Sequence, residues 1–371
     1  MIKLLELFGG IGACTKALKR SGIDYTVVDY VEIDKYAVAS YNAINGTDFK
    51  PQDITTWDND IEADLIMHGS PCQDFSIAGN QAGGDEGSGT RSSLMYETVR
   101  IVAKLMPKYV IWENVENVLS KKHKHNFDNY IKKMDNIGFD SYYQVLNAKD
   151  YGIPQNRKRI FVVSIRKDIN NHGFVFPKKK ELKLKLKDML EDDVNEKFYL
   201  SQKLINCFLS QGTGKYPRRQ RFLQNINRPN QNIANSITTR AGSRATDNFV
   251  KIREEKQMEF LKIRNATKKG YDIANKYDSV NLQYPKSETR RGRVGHQISQ
   301  TLQTSASMGV VENNLRLRKL TPKECWRLMG FDDEDFEKAE KVNSNTQLYK
   351  QAGNSIVVNV LQCILDELLK V

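Results

Sequence analysis

At 371 residues the chain is long enough to bury a full core, and length alone allows two domains or one large domain with an insertion. Its five cysteines (Cys14, Cys72, Cys207, Cys325 and Cys363) are odd in number and widely spaced, with no CxxC pair, which sets aside a disulfide framework and a structural metal. With no apolar run of about 18 residues and no signal-peptide pattern at "MIKLLELFGG", a cytoplasmic protein without a membrane partner is expected.

The first 165 residues alternate short β-branched runs with helical patterns. Strands are predicted at 3–8, 25–31, 63–69, 108–114, 141–147 and 159–165, and helices at about 12–21, 34–45, 93–106 and 125–137, some closed by glycine as at Gly22 and Gly138. This order predicts an α/β fold, a doubly wound, mostly parallel sheet with helices on both faces and ligands at the carboxyl ends of its strands.

The first strand runs into "GGIGACTKAL", a glycine turn opening a helix, where bare backbone can approach a ligand. A dinucleotide site asks for GxGxxG, but the third position here is Thr15. Glu32 ends the second strand and Asp53 follows in "PQDIT", both placed to bond the hydroxyls of an adenosine-type cofactor; a generic glycine turn with surface acids is the plainer reading. The third strand ends in "GSPCQDFS", so Cys72 opens a loop, 73–93, with five glycines. A structural cysteine prefers the apolar interior, whereas a reactive one sits on a ligand-binding edge and must lose a proton that a free thiol holds until about pH 8.5.

Glu113 closes the fourth strand, suited to proton donation or to holding a ring nitrogen, or simply a surface acid or helix cap. In "QNRKRIF", Arg157 and Arg159 alternate, which places both on one face, suited to phosphate or a polarised carbonyl, or to a paired surface charge.

After the sixth strand the composition changes. Residues 166–315 hold 29 Lys and Arg against 15 Asp and Glu, a net of +14, while the rest of the chain nets −2. The clusters "KYPRRQR" (215–221) and "ETRRGRVGHQ" (288–297) lie in this segment, whose one clear helical block is predicted near 251–269. Arginine among glycine, amide and aromatic residues favours a phosphate partner over a solvated charged face. Helical texture returns at "TPKECWRLMGF", with Thr321 as N-cap, Pro322 in the first turn and Glu324 completing a capping box, and a last apolar helix is predicted over about 354–369. The expected units are therefore a catalytic domain at 1–170, a loop-rich domain at 171–315 and a return to the first at 316–371.

Taken in order, "ELFGGIGACTKAL", "GSPCQDFS", "ENV", "QNRKRIF", "LRKLTPKECWRLMGF" and "YKQAGNSIVVNV" resemble the motifs of the C5-cytosine DNA methyltransferases, over about residues 1–165 and 316–371. The resemblance implies S-adenosylmethionine as cofactor, duplex DNA as substrate, and a basic target-recognition domain in the middle segment. It implies Cys72 as the nucleophile on C6 of a flipped cytosine, Glu113 at its N3 and amine, Arg159 at its carbonyl, and Arg157 supporting Cys72 or adjacent phosphates. Phe8, Gly10, Ile11 and Gly12 would line the cofactor, Glu32 its ribose, Ile33 and Ile54 its adenine, and Asp53 its amino group, with Pro71, Asn354 and Ser355 completing the pocket. Gln73 and Ser76 on the closing loop, Thr301 and Leu302 in "SQTLQTSA", and Arg240, Arg244, Arg290, Arg291 and Arg293 would meet DNA. Gly9 and Ala13 vary an alanine/glycine alternation of the first motif, a change expected to be tolerated because both are small. A companion restriction endonuclease is consistent with the resemblance, and a monomer is expected. The competing readings are a transfer-RNA cytosine-5 methyltransferase and a non-catalytic DNA-binding protein on the same fold.

Overall fold

The computed structural model describes residues 1–71, 85, 87–201, 260–287, 289–312 and 316–370. The first 166 residues form strands β1 (Ile2–Leu7), β2 (Tyr25–Val31), β3 (Leu65–His68), β4 (Tyr109–Val115), β5 (Phe139–Asn147), β6 (Gln155–Asn156) and β7 (Lys158–Arg166). Helices α1 (Ala13–Arg20), α2 (Lys35–Asn45), α3 (Met95–Leu105) and α4 (Lys124–Asn136) lie between them. Each begins and ends within two residues of the pattern that predicts it.

The main sheet has the order β2-β1-β3-β4-β7-β5. Only β7 runs against the others, antiparallel to both β4 and β5. Alternate residues serve opposite faces: Leu4, Met67, Ile111 and Phe161 pack towards α1 and the last helix, and Leu5, Ile66, Val110 and Val162 towards α3 and α4. Because β1 leads outward to β2 while β3 and β4 continue on its other side, the sheet reverses its winding between β1 and β3. A crevice opens there at the carboxyl ends of the strands.

The middle segment contributes strands β8 (Leu261–Arg264), β9 (Tyr271–Ala274), β10 (Ser279–Asn281), β11 (Val294–Gly295), β12 (Ser299–Gln300) and β13 (Met308–Val311), and β14 (Leu317–Lys319) follows just beyond it. Strands β11-β10-β13-β14 form a second sheet and β8 pairs with β9 around a small core that includes Leu200, Ile263, Val280, Val311 and Leu317. The helix predicted near 251–269 is corrected at its carboxyl end, since 261–264 is strand; residues 202–259 lie outside the described ones. The two bodies interlock. Leu186 and Met189 sit in the core of the first, and β12 pairs with β6.

The chain closes with α5 (Pro322–Arg327), α6 (Asp333–Glu340), α7 (Asn345–Asn354) and α8 (Val358–Leu369). The capping box holds, with Thr321 accepting from the Glu324 amide and Glu324 from that of Thr321. Residues 345–369 are apolar and long enough to count as a membrane span by composition, but they are two helices, broken by extended backbone at Ser355 and Val357, and α8 packs on α1. The predicted last helix therefore starts four residues late, at Val358.

Candidate active site

At the end of β1 the chain turns through three left-handed residues, Phe8 (φ 52°), Gly10 (φ 55°) and Gly12 (φ 80°), the last of which starts α1. The turn floors a crevice whose walls include Glu6, Met67, Gly69, Asn354, Ser355 and Ile356. Glu32, at the end of β2, is fixed by two amides: Gly10 donates to Oε2 at 3.1 Å and Asp34 to Oε1 at 2.9 Å. Burial raises its pKa and these amides oppose the rise. Asp34 also caps α2 and pairs with Lys350 at 2.7 Å, so the β2–α2 turn is tied to α7, which delivers exposed Asn354 and buried Ser355 to the crevice. Asp53 is exposed, with Oδ1 accepting from the amide and hydroxyl of Thr55, each at 2.9 Å. Of the two residues expected to flank an adenine, Ile33 is 67 % exposed, whereas Ile54 is turned inward at 4 %, beside Trp57 in the core.

Beneath this turn lies support that sequence reasoning missed. Buried Glu6 accepts from the Thr15 hydroxyl at 2.7 Å and its amide at 3.2 Å, so the residue that breaks the dinucleotide pattern anchors α1 to β1. Burial pushes the Glu6 carboxyl up to about 7, against the pull of the Thr15 bonds. Tyr41 bonds Thr15 at 3.1 Å and stacks on Tyr30, ring centroids 3.9 Å apart, while the Tyr30 hydroxyl donates to the Gly10 carbonyl. A Cβ on Gly9 would come 2.5 Å from the Tyr30 ring, and one on Gly12 2.7 Å from that of Tyr41. Glycine at position 9 is thus a requirement of Tyr30 in this chain, beyond the small size that sequence suggested. The one signal for Glu6 was an acid inside an apolar strand.

The second candidate edge, expected to be catalytic, follows β3. Ser70 accepts from Trp112 Nε1 at 3.0 Å and Asn114 Nδ2 donates to its carbonyl at 3.3 Å, which locks the chain just before Pro71. Cys72, Gln73 and Ser76 lie outside the described residues. In the antiparallel register Val115 faces Arg159 and Glu113 faces Phe161, so Glu113 and Arg159 are diagonal neighbours on one sheet face. Their ion pair measures 3.0 Å between Nε and Oε1, with the side chains 16 % and 10 % exposed. Burial raises the Glu113 pKa, and the charges of Arg159 and then Arg157 oppose it.

Arg157 reaches the wall of the crevice. It sits at the break between β6 and β7, only 3 % exposed, and donates to the carbonyls of Leu302 (3.2 Å), Gly353 (3.1 Å) and Ser355 (2.8 Å). It joins three segments, and its alternation with Arg159 is not that of two residues within one strand. Thr301 donates to the Asn156 carbonyl at 2.8 Å and the Leu302 amide to Gln155 at 3.1 Å, so these two residues meet the catalytic edge, with Leu302 buried at 3 %. Arg291 is exposed and Arg290 half-buried, whereas Arg293 is 1 % exposed and bonded to loop carbonyls, which corrects its expected place at a DNA surface. Arg240 and Arg244 lie outside the described residues.

Known proteins resemble this chain along its whole length. The chain is 29 % identical to the type II methyltransferase M2.ScrFI of Lactococcus lactis subsp. cremoris, covering 100 % of this chain and 99 % of that protein. It is 30 % identical to the orphan methyltransferase M.SPRI of Bacillus phage SPR, covering 99 % and 97 %. A putative DNA modification methyltransferase encoded within an Escherichia coli prophage has the same fold, at TM-score 0.60 and 20 % identity over 100 % of this chain and 99 % of that one. The family model for C-5 cytosine-specific DNA methylases matches residues 2–370, so the chain belongs to that family.

Proposed function

We propose that the protein methylates C5 of a cytosine turned out of duplex DNA, with Cys72 as nucleophile and S-adenosylmethionine as methyl donor. The observation that carries this reading is the Glu113–Arg159 pair, shielded from water beside Gly69 and separated by one strand, β3, from the glycine-floored crevice.

The crevice suits the donor. Its floor is bare backbone where a Cβ at Gly10 would meet open space, and the Glu32 carboxylate at its rim is already fixed. Phe8, Gly10, Ile11, Gly12, Glu32, Ile33, Asp53, Ile54, Pro71, Asn354 and Ser355 are the residues proposed to hold it. When bound, the donor supplies an electrophilic methyl group on a sulfonium.

The protein's own groups prepare the base. As the Cys72 sulfur bonds to C6, the C5=C6 electron pair is displaced and charge moves towards N3 and the carbonyl oxygen. Glu113, whose burial favours its protonated form, donates to N3, and the Arg159 guanidinium takes the growing charge at the carbonyl. C5 is then nucleophilic. After methylation, loss of the C5 proton returns a pair to the ring and expels Cys72, which frees enzyme and product. A base must leave the duplex to meet groups this deep, and the loop that begins at Gln73 is proposed to close over it. The segment 171–315 is proposed to choose the site. Relatives from Lactococcus and a Bacillus phage support a bacterial or phage setting, with DNA in the cytoplasm as substrate.

Incubation of the full chain with donor labelled in its methyl group should label cytosine C5 in duplex DNA and leave transfer RNA unlabelled. Cys72→Ala should abolish label while binding of S-adenosylhomocysteine persists. Turnover by that variant would refute the nucleophile.

A further inference from the structure

The chain between β10 and β11 forms a loop shaped from inside by Arg293. Its buried guanidinium donates to the carbonyls of Asn281 (3.1 Å), Gln283 (2.8 Å) and Tyr284 (2.6 Å). A guanidinium bonded to the carbonyl that ends β10 and to two carbonyls of the loop braces the loop against the strand. The group the loop presents is Tyr284, which has a left-handed φ of 46° directly before Pro285 and is 71 % exposed, more than any other aromatic side chain among the described residues. The Arg290 guanidinium lies 5.9 Å from its ring centroid, and Arg291 beside it is exposed. An aromatic ring displayed to water on a stiff support next to two arginines matches duplex DNA, with an apolar ring for a base edge or sugar and cations for phosphate.

The loop is also fixed to the catalytic edge. Gln300 donates to the Gly292 carbonyl and the side chain of Gln283 to that of Gln303. Gln300 pairs with Asn156, and the Leu302 carbonyl is held by Arg157. The displayed ring is therefore joined through hydrogen-bonded residues to a segment two positions from Arg159.

We propose that Tyr284 is a specificity-determining contact to duplex DNA, its ring set against one position of the target while Arg290 and Arg291 take flanking phosphates, with Arg293 as the positioning residue that holds the loop. This rests on the function proposed above.

The test compares the full-length wild type with Tyr284→Ala on unmethylated duplex DNA of mixed sequence, read by cytosine-methylation sequencing and by initial rates. Tyr284→Ala should raise KM for DNA roughly ten- to a hundredfold and relax the methylated sequence at one position. The kcat and the affinity for S-adenosylhomocysteine should stay near wild type. Arg293→Gln should reproduce both changes; should it fail to fold, Tyr284→Ala at its exposed position still decides. An unchanged KM and methylated sequence, or a fall in kcat alone, would overturn the proposal. No methylation of DNA by the wild type would instead overturn the proposed function, and this inference with it.

Discussion

Glu113 shows how much one side chain depends on its surroundings. Burial raises the pKa of its carboxyl, and the charge of Arg159 at 3.0 Å opposes that rise. That balance suits a group that must give a proton and recover it. Glu113→Gln keeps the shape and removes the proton; kcat should fall by about 10² to 10⁴-fold, with DNA affinity changed only a few-fold in a filter-binding titration. A kcat within threefold of wild type would remove Glu113 from the chemistry. The residue was legible in sequence because the chemistry asks for a carboxylate at a strand end, and "WENV" supplies one. Arg293 was legible as a type but not in direction. A guanidinium serves carbonyls as readily as phosphates, and composition does not say which lies nearer.

At the scale of elements, the glycine turn is governed by what lies under it. Glu6 on β1 and Thr15 on α1 form one buried unit, and Tyr30 of β2 with Tyr41 of α2 forms another. A carboxyl whose pKa folding raises from 4.5 to about 7 stabilises the fold most below pH 4.5, and that contribution is lost as pH climbs through 7. Urea unfolding of the wild type should therefore weaken across this window, by up to about 3 kcal/mol, relative to Glu6→Gln, whose amide still accepts from Thr15. Parallel stability curves would mean that Glu6 stays ionised throughout. Gly9→Ala must push Tyr30 aside, so S-adenosylhomocysteine affinity should fall by roughly tenfold or more, as small displacements in a binding loop do; combining it with Tyr30→Ser should restore part of the loss. An alanine variant that binds normally would show that the turn does not rest on Tyr30. The main strands and helices were readable because apolar period and β-branching agreed. Residues 261–264 were not, because "LKIR" follows a run of good helix formers, and only pairing with "YDIA" across a turn makes it a strand. The break before α8 had a local cause in the β-branched pair Ile356–Val357.

The whole molecule separates its charge by task. The net +14 of residues 166–315 against −2 elsewhere was visible in the sequence, whereas the interlocking of the two bodies through β6, β12 and Arg157 was not, because it joins residues about 145 apart. That join gives the charge its mechanical meaning. A basic body hinged freely would only concentrate DNA near the crevice; if it binds DNA as proposed, its pairing to β6 would also set where along the duplex the target base leaves the stack. Phosphate contacts release counterions, so each should contribute about −0.9 to the slope of log affinity against log salt. Lys268→Gln, Lys269→Gln and Arg291→Gln, all exposed on the basic body, should together flatten that slope by up to about 3 and leave kcat at saturating DNA unchanged. Lys167→Gln and Lys338→Gln remove cations already paired with Asp135 and Glu334 and should leave the slope alone. If the second pair changed the slope and the first three did not, DNA would have to lie across the helical face of the catalytic body, and the basic segment would have no part in choosing the cytosine.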